Sequence, residues 1–289
     1  MIETPHVFGA YDHLYGIHCQ SSSINSNHVE SKSSKTAVLM LTAGMLSNVG
    51  PSRLHVNLSR TLSQHGISSF RFDLSGIGES LAVGSHGASL TRATREVKAA
   101  IDMLERQYGY NQFKVFGLCS GADDAVASAI NDSRIVAAAL MDGCGYRTVW
   151  YWVPFLLRKY LPKVLRVSKW AALVKGLVRK SNPIPSTMPL GFDIREFPEI
   201  EQSKREISSL IDRGVKLHFV YTSGVISYYS YERQFYDMFP DFRNRDEISV
   251  SYHPAWDHVV MLREDRNELV EELKDWFIAS ESQVSVEKI

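Results

Sequence analysis

Cysteine is scarce in this chain, with three in 289 residues, at positions 19, 119 and 144. So few, so scattered, exclude a disulfide framework or a cysteine-built metal cluster. An excess of one charge sign is missing too. Basic and acidic residues number 32 each, the formal net charge is zero and the pI is near 7.2, so nothing argues for a nucleic-acid partner. No stretch reaches the roughly 18 consecutive apolar residues of a membrane-spanning helix. The opening residues, MIETPHVFGA, carry no basic segment ahead of an apolar run, so no secretory leader is read there and a reducing, cytoplasmic compartment is expected. The glycine-rich turn DLSGIGES at 73–80 lacks the third glycine of a dinucleotide fingerprint and the lysine of a phosphate loop. No cofactor and no metal are expected.

What is present is an alternation. Hydrophobic residues make up 44% of the chain and charged ones 22%, enough for one large core. Residues 5–20 read as two short strands joined around Asp12-His13, and 21–35 as a polar, serine-rich loop. Continuous apolar runs at 37–42, 67–72, 113–118, 135–141 and 215–221, with a further strand at 248–252, read as buried strands. Between them lie amphipathic segments. Leu54, Leu58 and Leu62 mark one helix; Leu90, Ala93, Val97, Ile101 and Leu104 mark another over 89–108; helices are also predicted over 122–130, 228–239 and 259–278. Strand and helix in alternation predict the α/β class, a mostly parallel central sheet with helices on both faces. Ligands of such sheets sit at the carboxyl ends of the strands, where Gly44, Cys119, Asp142 and His258 fall.

One junction has a special spacing. Residues 114–123, KVFGLCSGAD, read as a strand, a Gly-x-Cys-x-Gly turn and a small-residue helix. This is the form of a nucleophile elbow, in which the central residue is held exposed on a strained strand-to-helix turn. A Cβ at Gly117 or Gly121 would crowd that turn. Read as ordinary structure, Cys119 would be one more buried thiol.

Residues 143–199 break the alternation. Nine Lys or Arg (147, 158, 159, 163, 166, 169, 175, 179, 180) and no acid lie between Asp142 and Asp193, which leaves a formal minus nine on the rest of the chain. We read 143–199 as a helical cap (lid) inserted into a core made of 1–142 and 200–289. Its lysines have three readings: a solvated lid surface, a dock for an acidic carrier or phosphate-bearing substrate, or peripheral contact with an anionic surface.

Five segments, AGMLSNVGPSR (43–53), FRFDLSGIGES (70–80), FGLCSGADDA (116–125), VYTSGVISYY (220–229) and AWDHVVM (255–261), together resemble the α/β-hydrolase superfamily. The likeness is greatest to its serine-aminopeptidase-like subgroup and to the hydrolases associated with bacterial exosortase and surface-polysaccharide loci. It runs in family order over nearly the whole chain apart from the cap, with cysteine where the family's elbow usually carries serine. The resemblance implies Cys119 as nucleophile and His258 as general base, with His253 the alternative. It also implies an oxyanion hole from the backbone N–H groups of Met45 and Ser120. The acid departs from the pattern. No carboxylate follows Tyr221 until Glu232, so Asp142, at the end of the preceding strand, and Glu232 both remain candidates, while Asp257 adjoins the base too closely to orient it. Asp123 and Asp124 suit a helix N-terminus, and Arg53, Arg71 and Asp73 read as turn and packing residues. The implied activity is acyl transfer on an ester or thioester through an acyl-cysteine: a hydrolase, thioesterase or acyltransferase with a small-molecule, carrier-bound or free, acyl substrate. The alternative is a degenerate member that binds without catalysing.

Overall fold

Short apolar runs without polar alternation suit strands covered on both faces, and burying them organises the molecule. The computed structural model describes residues 1–22, 35–83, 89–157 and 197–282. Its strands are β1 (Ile2–Phe8), β2 (Leu14–Gln20), β3 (Thr36–Leu41), β4 (Ser68–Phe72), β5 (Gln112–Leu118), β6 (Ile135–Met141), β7 (Lys216–Thr222) and β8 (Ile248–His253). They form one sheet in the order β1-β2-β4-β3-β5-β6-β7-β8. β2 runs antiparallel to both β1 and β4, and every other pairing is parallel.

The described helices are α1 (Leu54–Gln64), α2 (Ser89–Tyr108), α3 (Ser120–Asn131), α4 (Ile200–Ile211), α5 (Gln234–Met238) and α6 (Arg263–Ser282). The period of two along each strand divides the core in two. Leu39, Phe113 and Val115 meet Val97 and Ile101 of α2, Ala125 of α3 and Leu210 of α4 on one face. Val38, Met40, Phe116 and Leu118 meet Leu58 of α1 and Leu273 and Phe277 of α6 on the other. Among the described residues no helix is long and apolar enough to cross a membrane.

Two predicted helices begin later than the sequence pattern, for the same physical reason: a side chain takes backbone partners that the helix would have used. Over 228–239 only α5 is helical. The buried Gln234 amide accepts from Ser230 N–H (2.8 Å) and donates to the carbonyls of Tyr228 (2.6 Å) and Tyr146 (2.9 Å), holding 228–233 as a turn. Over 259–278 the helix starts only at Arg263. Asp257 accepts from Val259 N–H and Met261 N–H, both at 3.0 Å, and Val260 lies at φ 49°, outside the helical region.

The base of the expected cap is tied to the loop after β7. Tyr151 Oη donates to the Ile226 carbonyl (2.7 Å), Ser230 Oγ to the Tyr151 carbonyl (2.9 Å) and Arg147 Nε to the Ser227 carbonyl (2.7 Å). Tyr146 Oη donates to the Pro198 carbonyl at 2.6 Å, joining the outgoing and returning chain. Residues 158–196, with nine of the ten Lys and Arg of the expected cap, and residues 23–34 of the serine-rich loop lie outside the described residues.

Glycine at 117 is set by a close approach. A Cβ built there would stand 2.1 Å from the Gly121 carbonyl oxygen, whereas one at Gly214 meets nothing within 4 Å. Gly117→Ala is therefore expected to cost more than about 3 kcal/mol in denaturant unfolding, and Gly214→Ala only the left-handed strain of about 1–2 kcal/mol. Equal losses would contradict this packing.

Candidate active site

Because β5 alternates faces, Gly117 falls on the side of α3 and the chain can turn sharply into that helix. Gly121 completes the fit, since a Cβ there would lie 2.8 Å from the carbonyl oxygens of both Leu41 and Thr42 at the end of β3. Cys119, between the two glycines, is left at φ 56°, ψ −119°. L-residues avoid this region, at a cost on the order of 1–3 kcal/mol. Its thiol is half-buried.

Backbone hydrogen bonds then carry the strand register beyond the strand ends. Cys119 N–H donates to the Met141 carbonyl (2.8 Å), and Asp142 N–H to the Val220 carbonyl (2.8 Å). Ser223 binds the Trp256 carbonyl through both its N–H (3.1 Å) and its Oγ (2.7 Å). The ends of β5, β6, β7 and β8 are thus stitched side by side, with Cys119, Asp142 and His258 on three neighbouring loops.

Asp142 is fully buried, at 0% exposure. Its Oδ1 accepts from Thr222 N–H (2.8 Å), and its Oδ2 from Thr222 Oγ1 (2.7 Å) and from His258 Nδ1 (2.8 Å). The hydrogen bond to Asp142, followed by one to Cys119, outweighs burial and raises the His258 ring to about 10. Cys119, His258 and Asp142 form one hydrogen-bonded chain. It can hold a proton on the ring beside the sulfur and accept or return that proton during attack on a carbonyl.

The other candidates lie elsewhere. Glu232 is exposed, and its backbone carbonyl accepts from Tyr229 Oη. His253 stacks on Trp256 with ring centroids 3.5 Å apart, and its Nε2 lies 2.9 Å from Glu272. Burial works to raise the Glu272 carboxyl, but hydrogen bonds from His218 and His253 outweigh it and hold it below the usual range. This cluster pins α6 to β7 and β8. Asp257 is occupied in its own turn, as described above. Asp73 accepts from Asn48 N–H, Asn48 Nδ2 and Glu79 N–H, and Arg71 donates to Asn48 Oδ1, so both brace the turn after β3. Arg53 sits at φ 66° directly before α1. Asp123 lies in the first turn of α3.

Met45 is at the tip of that braced turn, which closes on Leu46 N–H to the Ala43 carbonyl (3.0 Å) with Gly44 at φ 52°. Gly44 N–H donates to Ser120 Oγ (2.8 Å), which fixes the turn against the start of α3. The N–H of Ser120, in the first turn of that helix, has no acceptor within the helix.

Two contributors carry no local signal in the sequence. Thr222 supplies two of the three donors that hold the Asp142 carboxylate, and only the alignment of β6 with β7 reveals it. A Cβ on Gly224 would lie 2.3 Å from the His258 backbone nitrogen, so the loop after β7 supports the His258 loop directly.

Solved structures share this architecture. An esterase of Pyrococcus furiosus is 12% identical over 96% of this chain and 91% of its own, with a TM-score of 0.58. The proline iminopeptidase of Mycobacterium smegmatis is 12% identical over 98% and 100%, TM-score 0.55. A cold-adapted esterase from an Arctic intertidal metagenomic library is 14% identical over 94% and 92%, TM-score 0.54. No protein-family model and no curated protein matches the chain. The eight-stranded sheet and these likenesses give the chain the α/β-hydrolase fold.

The raised His258 ring fixes a pH dependence. Its folded value, about 10, lies above the ordinary 6.5. The pair's contribution is therefore complete below about pH 6.5 and is lost as pH rises through about 10. The thermal-stability gap between wild type and His258→Gln should narrow over that window, and the ring should titrate lower by NMR in Asp142→Asn. A gap independent of pH would contradict the pairing.

Proposed function

We propose that this chain is an acyl-transfer enzyme acting on an ester or thioester through a covalent acyl group on Cys119. The observation that carries the reading is the hydrogen-bonded chain Cys119–His258–Asp142 at the carboxyl edge of the sheet, with Cys119 on a strained turn. The fold shared with proteins described as esterases supports it.

In this mechanism the Cys119 sulfur attacks the carbonyl carbon while His258 holds the thiol proton on Nε2, its Nδ1–H being committed to Asp142. The tetrahedral oxyanion is met by the N–H groups of Ser120 and Met45, the first reinforced by the positive end of α3. Collapse expels an alcohol or thiol, which leaves with the proton from His258. The ring, now neutral, takes a proton from water or another acceptor, which attacks the thioester and releases the acyl group. Cys119 departs as thiolate and His258 is again protonated. Asp142 holds the ring in the tautomer that presents Nε2 and stabilises its charge.

A cysteine nucleophile favours thioester substrates, because moving an acyl group from one sulfur to another is nearly isoenergetic. A basic cap over 143–199 would suit a phosphate-bearing or carrier-bound thiol.

A panel of acyl thioesters and p-nitrophenyl esters tests the reading. Cys119→Ala and prior alkylation with iodoacetamide should each abolish turnover, and Asp142→Asn should lower kcat by about 10²–10⁴-fold with the fold intact. Turnover that survives both losses of the thiol rules out Cys119. No turnover on any member of the panel favours a binding protein on this fold.

A further inference from the structure

Among the described residues, large apolar side chains are exposed in the N-terminal hairpin, on 149–157 and on two loops of the candidate site, where Met45, Leu46, Val49, Met261 and Leu262 face solvent. Met45 is 77% exposed at the tip of the turn after β3. Met261 and Leu262, at 67% and 64%, follow His258 by three and four residues. Val149 and Trp150 are also exposed on the base of the cap after β6.

The loops themselves are firmly held. Trp256 and Val260, on either side of His258, are buried in the core under β3 and β5. The Asp257 carboxylate holds Val259 N–H and Met261 N–H, and Val260 is bent to φ 49°. Burying Val260 by that turn is what sends Met261 and Leu262 outward. The turn after β3 is fixed in the same manner by Asn48 and Asp73 below it and by Ser120 beside it. Apolar residues on rigid loops, beside otherwise well-buried neighbours, mark a surface that a ligand covers.

The position of the surface selects the ligand. Met45 adjoins Gly44, which is bonded to Ser120, the residue after Cys119; Met261 is on the loop of His258. An apolar group covering both loops spans the place where a carbonyl would be attacked. Unbranched methionines adapt to a flexible partner better than branched or aromatic residues do. We infer that the site takes a linear, apolar acyl chain of medium to long length, seated against Met45, Met261 and Leu262. This rests on the acyl-transfer reading for its chemistry, but the apolar subsite is measurable without it.

Two assays keep the claims apart. The first is kcat/KM for p-nitrophenyl esters from acetyl to decanoyl, below their micelle concentrations, with wild type and the exposed-site double variant Met261→Ser/Leu262→Ser. Wild type should gain about threefold to fourfold per methylene until the subsite is filled, and the double variant should show a flatter rise. The second is calorimetric binding of octanoate, decanoate and dodecanoate to Cys119→Ala, with and without the same two substitutions. Affinity should rise with length and fall in the substituted protein.

A flat length profile in both assays, or a length dependence that the substitutions leave unchanged, overturns the subsite. Length-dependent binding without turnover on any ester or thioester upholds the subsite and removes the acyl-transfer reading. If the substitutions change only co-sedimentation with anionic phosphatidylserine vesicles, the surface docks on lipid and the acyl-chain inference fails.

Discussion

Much of the carboxyl edge of this sheet depends on one buried carboxylate. Asp142 has no exposed surface, and an ionised group in that position is tolerated only when hydrogen-bond donors surround it. Thr222 supplies two and His258 a third. All of them come from strands or loops distant in sequence, so satisfying Asp142 requires β6, β7 and the loop after β8 to be in register at once. Even its carbonyl is used, accepting from Tyr228 Oη at 3.1 Å. Removing a single donor would leave a buried charge short of partners, at a cost on the order of 3–5 kcal/mol.

The same edge concentrates backbone strain. Cys119 at φ 56°, Asp142 at φ 49° and Val260 at φ 49° are all non-glycine residues in the left-handed half of φ space. Each belongs to the candidate site or supports it. Strain of this kind persists where surrounding contacts over-determine the geometry, and here they do: glycines at 117 and 121 admit α3, Asp142 is held by Thr222, and Val260 is seated in the core. The exposed apolar tips follow directly on such held residues: Met261 and Leu262 come straight after the buried Val260.

The glycine-spaced turn around Cys119 was legible in the sequence because its requirement is local: two Cβ atoms must be missing for a helix to lie that close to a strand. The sheet was legible because strands buried on both faces cannot hide their apolar runs. The partner of His258 was not. Asp142, at a strand end, and Glu232, well beyond the end of the next strand, both remained candidates in the sequence, and only the pairing of Met141 with Val220 puts Asp142 beside Thr222. Thr222 and Gly224 gave no signal because their roles exist only across strands. The predicted helices at 228–239 and 259–278 start too early, because hydrophobic period says nothing of Gln234 and Asp257, whose side chains compete for the backbone.

Central to this account is an acyl group carried by Cys119. The direct test is acid-quenched mass spectrometry with peptide mapping after rapid mixing with p-nitrophenyl octanoate. The account predicts an added octanoyl mass on the peptide containing Cys119, formed together with nitrophenolate. An adduct on any other residue, with Cys119 unmodified while nitrophenolate is released, would contradict it.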